Sequence, residues 1–126
     1  MRVLRAALVV GILATALAAC SGDSSKSLPT PSRAFCQAAY DFDTNAPKLA
    51  GKINKQTELV QKMADHAPKD VAKDAQLYLD AMKRRARGDK SVVDNPKIEK
   101  AVDNVNRRAT NGCQLLKQNQ DGTGGI

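Results

Sequence analysis

Four prolines divide this chain into segments that have the pattern of helices. Pro31, Pro47, Pro68 and Pro96 each precede a stretch with few helix breakers. Proline is tolerated at the first position of a helix, because the N–H that it lacks would have no intrahelical partner there. Between the prolines, apolar residues recur at spacings of three and four, which places them on one helical face. These signals predict helices near residues 31–44, 47–65, 68–87 and 96–117.

The apolar faces of these helices would together form the core of a single domain, since 126 residues do not allow two. The alternation typical of strands never extends beyond a few residues, so the predicted class is all-α. Short connections favour antiparallel neighbours, and we expect a small antiparallel four-helix bundle with an up-down-up-down arrangement. The residues predicted to face the core are Phe35, Cys36, Ala39, Phe42, Leu49, Ile53, Val60, Met63, Val71, Ala75, Tyr78, Met82, Ile98, Val102, Val105, Ala109, Cys113 and Leu116.

The amino end has the pattern of a bacterial targeting segment. Arg2 and Arg5 precede an uncharged run of 15 residues, 6–20, which is too short and too rich in alanine for a spanning helix. At its end, Leu17-Ala18-Ala19-Cys20 resembles the lipobox of bacterial lipoproteins. The resemblance implies that residues 1–19 are a cleaved signal peptide and that Cys20 carries a diacylglyceryl group and an N-acyl chain such as palmitate. The alternatives are an ordinary secretory signal or an uncleaved anchor.

A lipoprotein signal would attach the mature chain to the extracytoplasmic side of the cell membrane, or of an outer envelope. Several acyl chains hold a protein at a membrane where one would not. After Cys20 the sequence is rich in serine and proline, so residues 20–30 are interpreted as a flexible tether. We assign residues 31–117 to the helical domain and residues 118–126, which contain three glycines, to a disordered tail.

The two remaining cysteines occupy matching positions near the ends of the predicted domain. Cys36 lies one turn into the first predicted helix, and Cys113 about one turn before the end of the last. In an up-down-up-down bundle both positions fall at the same end, where they could be bridged. With an extracytoplasmic address, a Cys36–Cys113 disulfide is the expected state. Two buried, reduced thiols are the alternative.

The positive charge of the chain is concentrated in two places. Lysine and arginine exceed the acidic residues by seven, and removal of residues 1–19 leaves 18 basic and 13 acidic side chains. The densest cluster is Lys83, Arg84, Arg85 and Arg87, with Arg107–Arg108 as a second pair. The cluster is a candidate contact for an envelope protein or an anionic polymer, whereas nucleic acid is not expected outside the cell. The alternative is that these cations only complement the dipole at the end of a helix.

Residue sets for catalysis are not evident. His66 is the one histidine, and a lone histidine cannot form a zinc site without acidic or thiolate partners. The nearest carboxylate pairs are Asp41 with Asp43 and Asp70 with Asp74, and carboxylates at a helix amino end are expected without catalysis. We therefore expect no enzymatic activity, no cofactor and no metal site. The favoured function is a lipid-anchored binding or interaction module, and the alternative is a carrier or sensor for a small apolar ligand.

The neighbourhoods of the two cysteines also carry a loose resemblance. Phe35-Cys36 near the mature start and Asn111-Gly112-Cys113 near the end are similar to sequences in small helical lipoproteins of actinobacteria. The resemblance supports the disulfide and the address, and it implies no established activity.

Overall fold

The computed structural model describes residues 28–120 of the chain and the side chains of residues 28–118. This part is all-helical and contains no strand, which confirms the predicted class for the described residues. The five α-helices are α1 (Arg33–Asn45), α2 (Ile53–Asp65), α3 (Ala72–Ala86), α4 (Pro96–Gly112) and α5 (Gln114–Gln120). Short 3₁₀ helices lie at Ala46–Leu49 and Lys90–Val92. The predicted signal peptide, the lipid site Cys20 and most of the tether lie outside the described residues.

Two helices begin with a polar cap beside a proline. The Ser32 hydroxyl accepts a hydrogen bond from the backbone N–H of Phe35 at the start of α1. The Asn95 side chain accepts from the N–H groups of Lys97 and Ile98, with Pro96 as the first residue of α4. These contacts satisfy N–H groups that have no partner within the helix. The proline signal therefore places the starts of α1 and α4 to within two residues.

The other two prolines do not start α-helices. Pro47 lies in the 3₁₀ helix, and a turn with Gly51 at a φ of 79° separates it from the start of α2 at Ile53. Pro68 opens a turn in which its carbonyl accepts from the N–H of Val71. The fixed φ of proline fits a 3₁₀ helix or a turn as well as an α-helix, so the predicted starts at residues 47 and 68 are too early.

The predicted last helix is interrupted near its end. Cys113 has an extended backbone, with φ −112° and ψ 110°, so α4 ends at Gly112 and α5 begins at Gln114. Gly112 is a weak helix former, and the chain turns where Cys113 meets α1. Since α5 continues to Gln120, residues 118–120 of the predicted tail are helical, and residues 121–126 lie outside the described part.

The core is built mainly from the predicted apolar faces. Leu79 is also buried, although the spacing of the predicted face does not include it, and Leu49 lies outside α2 and is only partly buried. Helix α1 packs on α2, α2 on α3, and α3 on α4, while α1 also contacts α4 and α5. A smaller apolar cluster of Ala81, Val92 and Ile98 lies where α3, the second 3₁₀ helix and α4 meet. The most deeply buried large side chains are Phe35, Val60, Met63, Leu79, Val105 and Cys113. Among the described residues, none of the helices is long and apolar enough to span a membrane.

Candidate functional site

The basic cluster occupies the end of α3. Lys83, Arg84 and Arg85 form its last turn and Arg87 caps it, so the cations do complement the helix dipole. Gly88 follows with a φ of 89°, and its N–H donates to the carbonyl of Arg85 while the N–H of Asp89 donates to that of Arg84. This pair of bonds is a Schellman motif, which turns the chain sharply away from the helix.

The four cations of the cluster do not share one face. Successive residues of a helix point about 100° apart, and of the four cations Lys83 and Arg87 line one groove together. Arg84 and Arg85 are directed elsewhere, each with its own surroundings. The structure therefore divides the predicted anionic-partner patch into three parts.

Arg84 is used within the protein. Its guanidinium contacts the Asp89 carboxylate with an Nη2–Oδ2 distance of 2.7 Å, and Nη2 also donates to the Ser91 hydroxyl. Hydrogen bonds from Ser91 and Arg84 lower the pKa of Asp89 to about 2. Arg84 thus holds the loop between α3 and α4, and its charge is already compensated.

Arg85 lies at the rim of a cleft of about 420 Å³ between α3 and α4. The floor of the cleft is apolar, and Glu99 and Asp103 join Arg85 at the rim. Burial raises the pKa of Tyr78 to about 12, and the charge of Arg85 opposes this shift. The Tyr78 ring also packs edge-on against Phe42, with centroids 6.1 Å apart. The apolar residues of the cleft are Tyr78, Ala81, Met82, Val92, Val93, Ile98 and Val102.

Lys83 and Arg87 line a second groove, of about 520 Å³, between α2 and α3. Lys62 from α2 lines the same groove, although the sequence did not indicate that it belongs with the cluster. The remaining residues of this α2–α3 groove are Asn54, Thr57, Glu58, Gln61 and Ala86.

The point where the chain enters the domain is held by Arg108. Its Nε donates to Asp70 Oδ2 over 2.7 Å, and its Nη2 donates to the carbonyl oxygen of Pro29. Arg108 is only 8% exposed, so it is part of the interior and not a surface cation. Beside it, Gly112 leaves room for Pro31, because a Cβ there would lie 2.6 Å from the proline Cγ.

The charge pattern of the sequence does not indicate that Arg108 is buried, but the spacing of apolar residues along α4 does. Arg108 follows Val105 by three positions and Ala101 by seven, and both of these residues are buried. An arginine in register with a buried stripe indicates a partner within the fold. Its neighbour Arg107 lies on the surface, where it contacts Asp103 one turn earlier.

The sulfur atoms of Cys36 and Cys113 are 2.06 Å apart, which is disulfide distance. The pair joins the first turn of α1 to the break between α4 and α5. It therefore lies at the same end of the domain as Arg108 and Pro31, where the chain enters.

The candidate acid and base residues are not assembled into a site. Asp70 contacts Arg108, whereas Asp74 accepts a hydrogen bond of 2.9 Å from Asn104, so the two carboxylates are engaged separately with α4. His66 is exposed at the end of α2. Within residues 28–118, no three His, Cys, Asp or Glu side chains are grouped as metal ligands.

Asp41 and Asp43 also have different surroundings. Asp41 accepts a hydrogen bond of 3.0 Å from Gln37, one turn earlier on α1. Asp43 lies at a small cavity of about 190 Å³ beside Phe42 and Met63. Neither carboxylate is joined to a nucleophile by the hydrogen bonds of the described residues.

Comparisons with known proteins do not assign this arrangement to a family. No protein-family model, curated protein or solved structure matches the chain.

Proposed function

We propose that this protein is a lipid-anchored interaction module on the extracytoplasmic side of the cell membrane. The membrane would be reached through acylated Cys20 after cleavage of residues 1–19, as in the lipoproteins of bacteria, including the small helical ones of actinobacteria, that the sequence resembles. The partner would be another envelope protein or an anionic polymer, and not a nucleic acid. The proposal involves no catalysis and no cofactor, and Asp70 and Asp74 are each engaged with a residue of α4.

The observation that carries this proposal is the placement of the chain entry relative to the exposed cations. Pro29 contacts Arg108, which contacts Asp70 just before the start of α3. Lys83 and Arg87 lie at the other end of the same helix, whose 15 residues span about 22 Å. A domain anchored through its amino end would therefore carry Lys83 and Arg87 at the end opposite to the chain entry, where a partner can reach them.

We further propose that α1 to α4 are arranged as the up-down-up-down bundle that the sequence favours. The contacts between consecutive helices support this arrangement, as does the contact between α1 and α4. The short connections around Gly51 and Pro68 are typical of antiparallel neighbours. In this arrangement the chain entry and the Cys36–Cys113 pair share one end.

The anchor is tested by changing Cys20→Ser in the native host and separating membranes from soluble material. We expect the variant to leave the membrane fraction or to accumulate as an uncleaved precursor, because the acylated sulfur is gone. Ser24→Ala, a change in the same segment, should keep the wild-type distribution. Unchanged acylation and membrane retention of the Cys20→Ser variant would refute the lipid anchor.

A carrier or sensor for a small apolar ligand is the second candidate function. The observation that favours it is the α3–α4 cleft. Its volume of about 420 Å³ is within the range of small-molecule sites, and such sites commonly have an apolar floor like this one. A native mass spectrum of protein extracted from its own membranes distinguishes the two functions. An adduct that disappears on denaturation supports the carrier, and a clean monomer supports the interaction module.

A further inference from the structure

We infer that the α2–α3 groove binds a phosphodiester polymer through Lys62, Lys83 and Arg87. The inference names a partner class for the interaction module, and it rests on the proposed function for the extracytoplasmic location of the groove. It replaces the four-residue cluster of the sequence with a different set of cations, drawn from two helices.

The three cations of the groove are uncompensated. Lys62, Lys83 and Arg87 form no ion pair with any carboxylate of the described residues, whereas Arg84, Arg107 and Arg108 each form one. Three unpaired cations along one groove create a positive potential that attracts an anion with several charges.

The single acid of the groove reduces this potential only in part. Glu58 lines the groove, and its carboxylate lies 3.4 Å from the ammonium group of Lys55, one turn earlier on α2. The Lys55 charge offsets that of Glu58, so the groove keeps a net positive character.

The lining of the groove is largely apolar, and it includes polar side chains that can contact a chain of phosphates. Helix α2 contributes the side chains of Asn54, Thr57 and Gln61, whose amide and hydroxyl groups can form hydrogen bonds with phosphate or sugar oxygens. Ala86 leaves space between the helices, and the alkyl stems of the lysines can lie along this apolar strip while their charges stay in water. A groove with charges on both walls suits a linear polymer better than one compact anion.

The groove extends along both helices from near one end of the domain toward the other. Lys83 and Arg87 lie about 16 Å and about 22 Å along α3 from its start, whereas Lys62 lies one turn before the end of α2 at Asp65. This extent suits an elongated polymer, and a binding measurement with vesicles distinguishes a polymer from lipid headgroups.

The test is titration calorimetry of the full processed protein in a neutral detergent, with a synthetic glycerol phosphate oligomer as the probe. The triple variant K62Q/K83Q/R87Q should bind the oligomer about tenfold more weakly, because each exposed charge contact contributes modestly. The matched control K69Q/K97Q/K100Q removes the same charge from three exposed lysines outside the groove, and it should bind within about twofold of the wild type. Circular dichroism checks that both variants are folded.

Several outcomes overturn the inference. The inference is wrong if the wild-type protein does not bind the oligomer. It is also wrong if both triple variants lose the same amount of binding affinity, because that result indicates attraction to the total charge of the protein. Equally tight binding of polyglutamate indicates an acidic protein partner. Groove-dependent binding of the Cys20→Ser variant to phosphatidylglycerol vesicles indicates a lipid headgroup. If the triple variant unfolds, Lys83→Gln and Arg87→Gln should each weaken binding about two- to threefold.

This experiment is independent of the membrane anchor, because binding is measured in solution. If the wild-type protein is retained at membranes but does not bind the oligomer, the inference about the groove is rejected and the lipid anchor stands. If the wild-type protein binds the oligomer but is not retained at membranes, the lipid anchor is rejected and the inference about the groove stands.

Discussion

Arg108 shows how the surroundings of a single residue change the meaning of its charge. The sequence places it in a basic pair with Arg107, and the two differ only by one position along α4. Arg107 points to solvent, whereas Arg108 is buried and connects α4 to Asp70 and to the entering chain at Pro29. A buried ion whose partner is removed leaves the other charge uncompensated, so this contact is expected to matter for stability.

We expect Arg108→Met to lower the free energy of unfolding by about 2 kcal/mol, because its hydrogen bonds to the Asp70 carboxylate and to the Pro29 carbonyl are lost. Urea unfolding measures this loss. The control Arg107→Met removes the adjacent cation and should cost less than about 0.5 kcal/mol, as is usual for an exposed pair. Equal losses in the two variants would contradict the structural role of Arg108.

Tyr78 gives a residue-level prediction about pH. Burial raises its pKa to about 12 in the folded state, against about 10 in the unfolded chain. The folded state therefore keeps a proton that the unfolded state loses between pH 10 and 12, and stability falls as the pH rises through this range.

The expected size of this effect is about 2 to 3 kcal/mol, since each unit of pKa difference corresponds to about 1.4 kcal/mol. Urea unfolding at several pH values from 9 to 12 should show a smaller alkaline loss for Tyr78→Phe than for the wild type. Parallel curves for the two proteins would mean that the phenol is not desolvated by folding.

At the scale of elements, the end of α3 shows which local sequence signals are sufficient to predict a helix boundary. A glycine directly after a helical segment is typical of a helix end, and Gly88 and Asp89 form the Schellman bonds there. The basic last turn and the cap at Asn95 are likewise local features, because each depends on residues within a few positions. The starts of α2 and α3 come later than Pro47 and Pro68, because the fixed φ of proline also fits the 3₁₀ helix and the turn that precede these helices.

We expect Gly88→Ala to destabilise the protein by about 1 kcal/mol, because its φ of 89° is costly for a residue with a Cβ. The added methyl group would meet no atom within 4 Å, so the cost arises from the backbone alone. Thermal unfolding of the variant measures this change. Gly88→Asn, which tolerates positive φ better, should recover part of the loss, and no difference between the two variants would contradict this account.

For the whole molecule, the Cys36–Cys113 pair closes most of the domain into one loop. The two residues are 77 positions apart, and a bridge of this length restricts the unfolded chain strongly. The core of a domain this small is limited, so a covalent link contributes a large share of its stability.

We expect Cys36→Ala and Cys113→Ala each to lower the free energy of unfolding by about 4 kcal/mol in the loop-closure description. The corresponding fall in melting temperature is more than about 15 °C for a domain of this size. The double variant and the reduced wild-type protein should melt near the single variants, because the same link is lost in all of them. A large effect of one cysteine alone would argue against a shared bridge.

The sequence by itself determined the helical class, the apolar face of each helix and the approximate position of the cysteines. These properties follow from spacing along the chain, since a helix repeats every 3.6 residues and a cap acts within one turn. Tertiary structure decided the rest: which cations share the α2–α3 groove, why Arg108 is buried, and where Cys113 interrupts the last predicted helix. Each of these depends on residues brought together from distant parts of the chain, as Pro29, Asp70 and Arg108 are, and a local pattern carries no information about such neighbours.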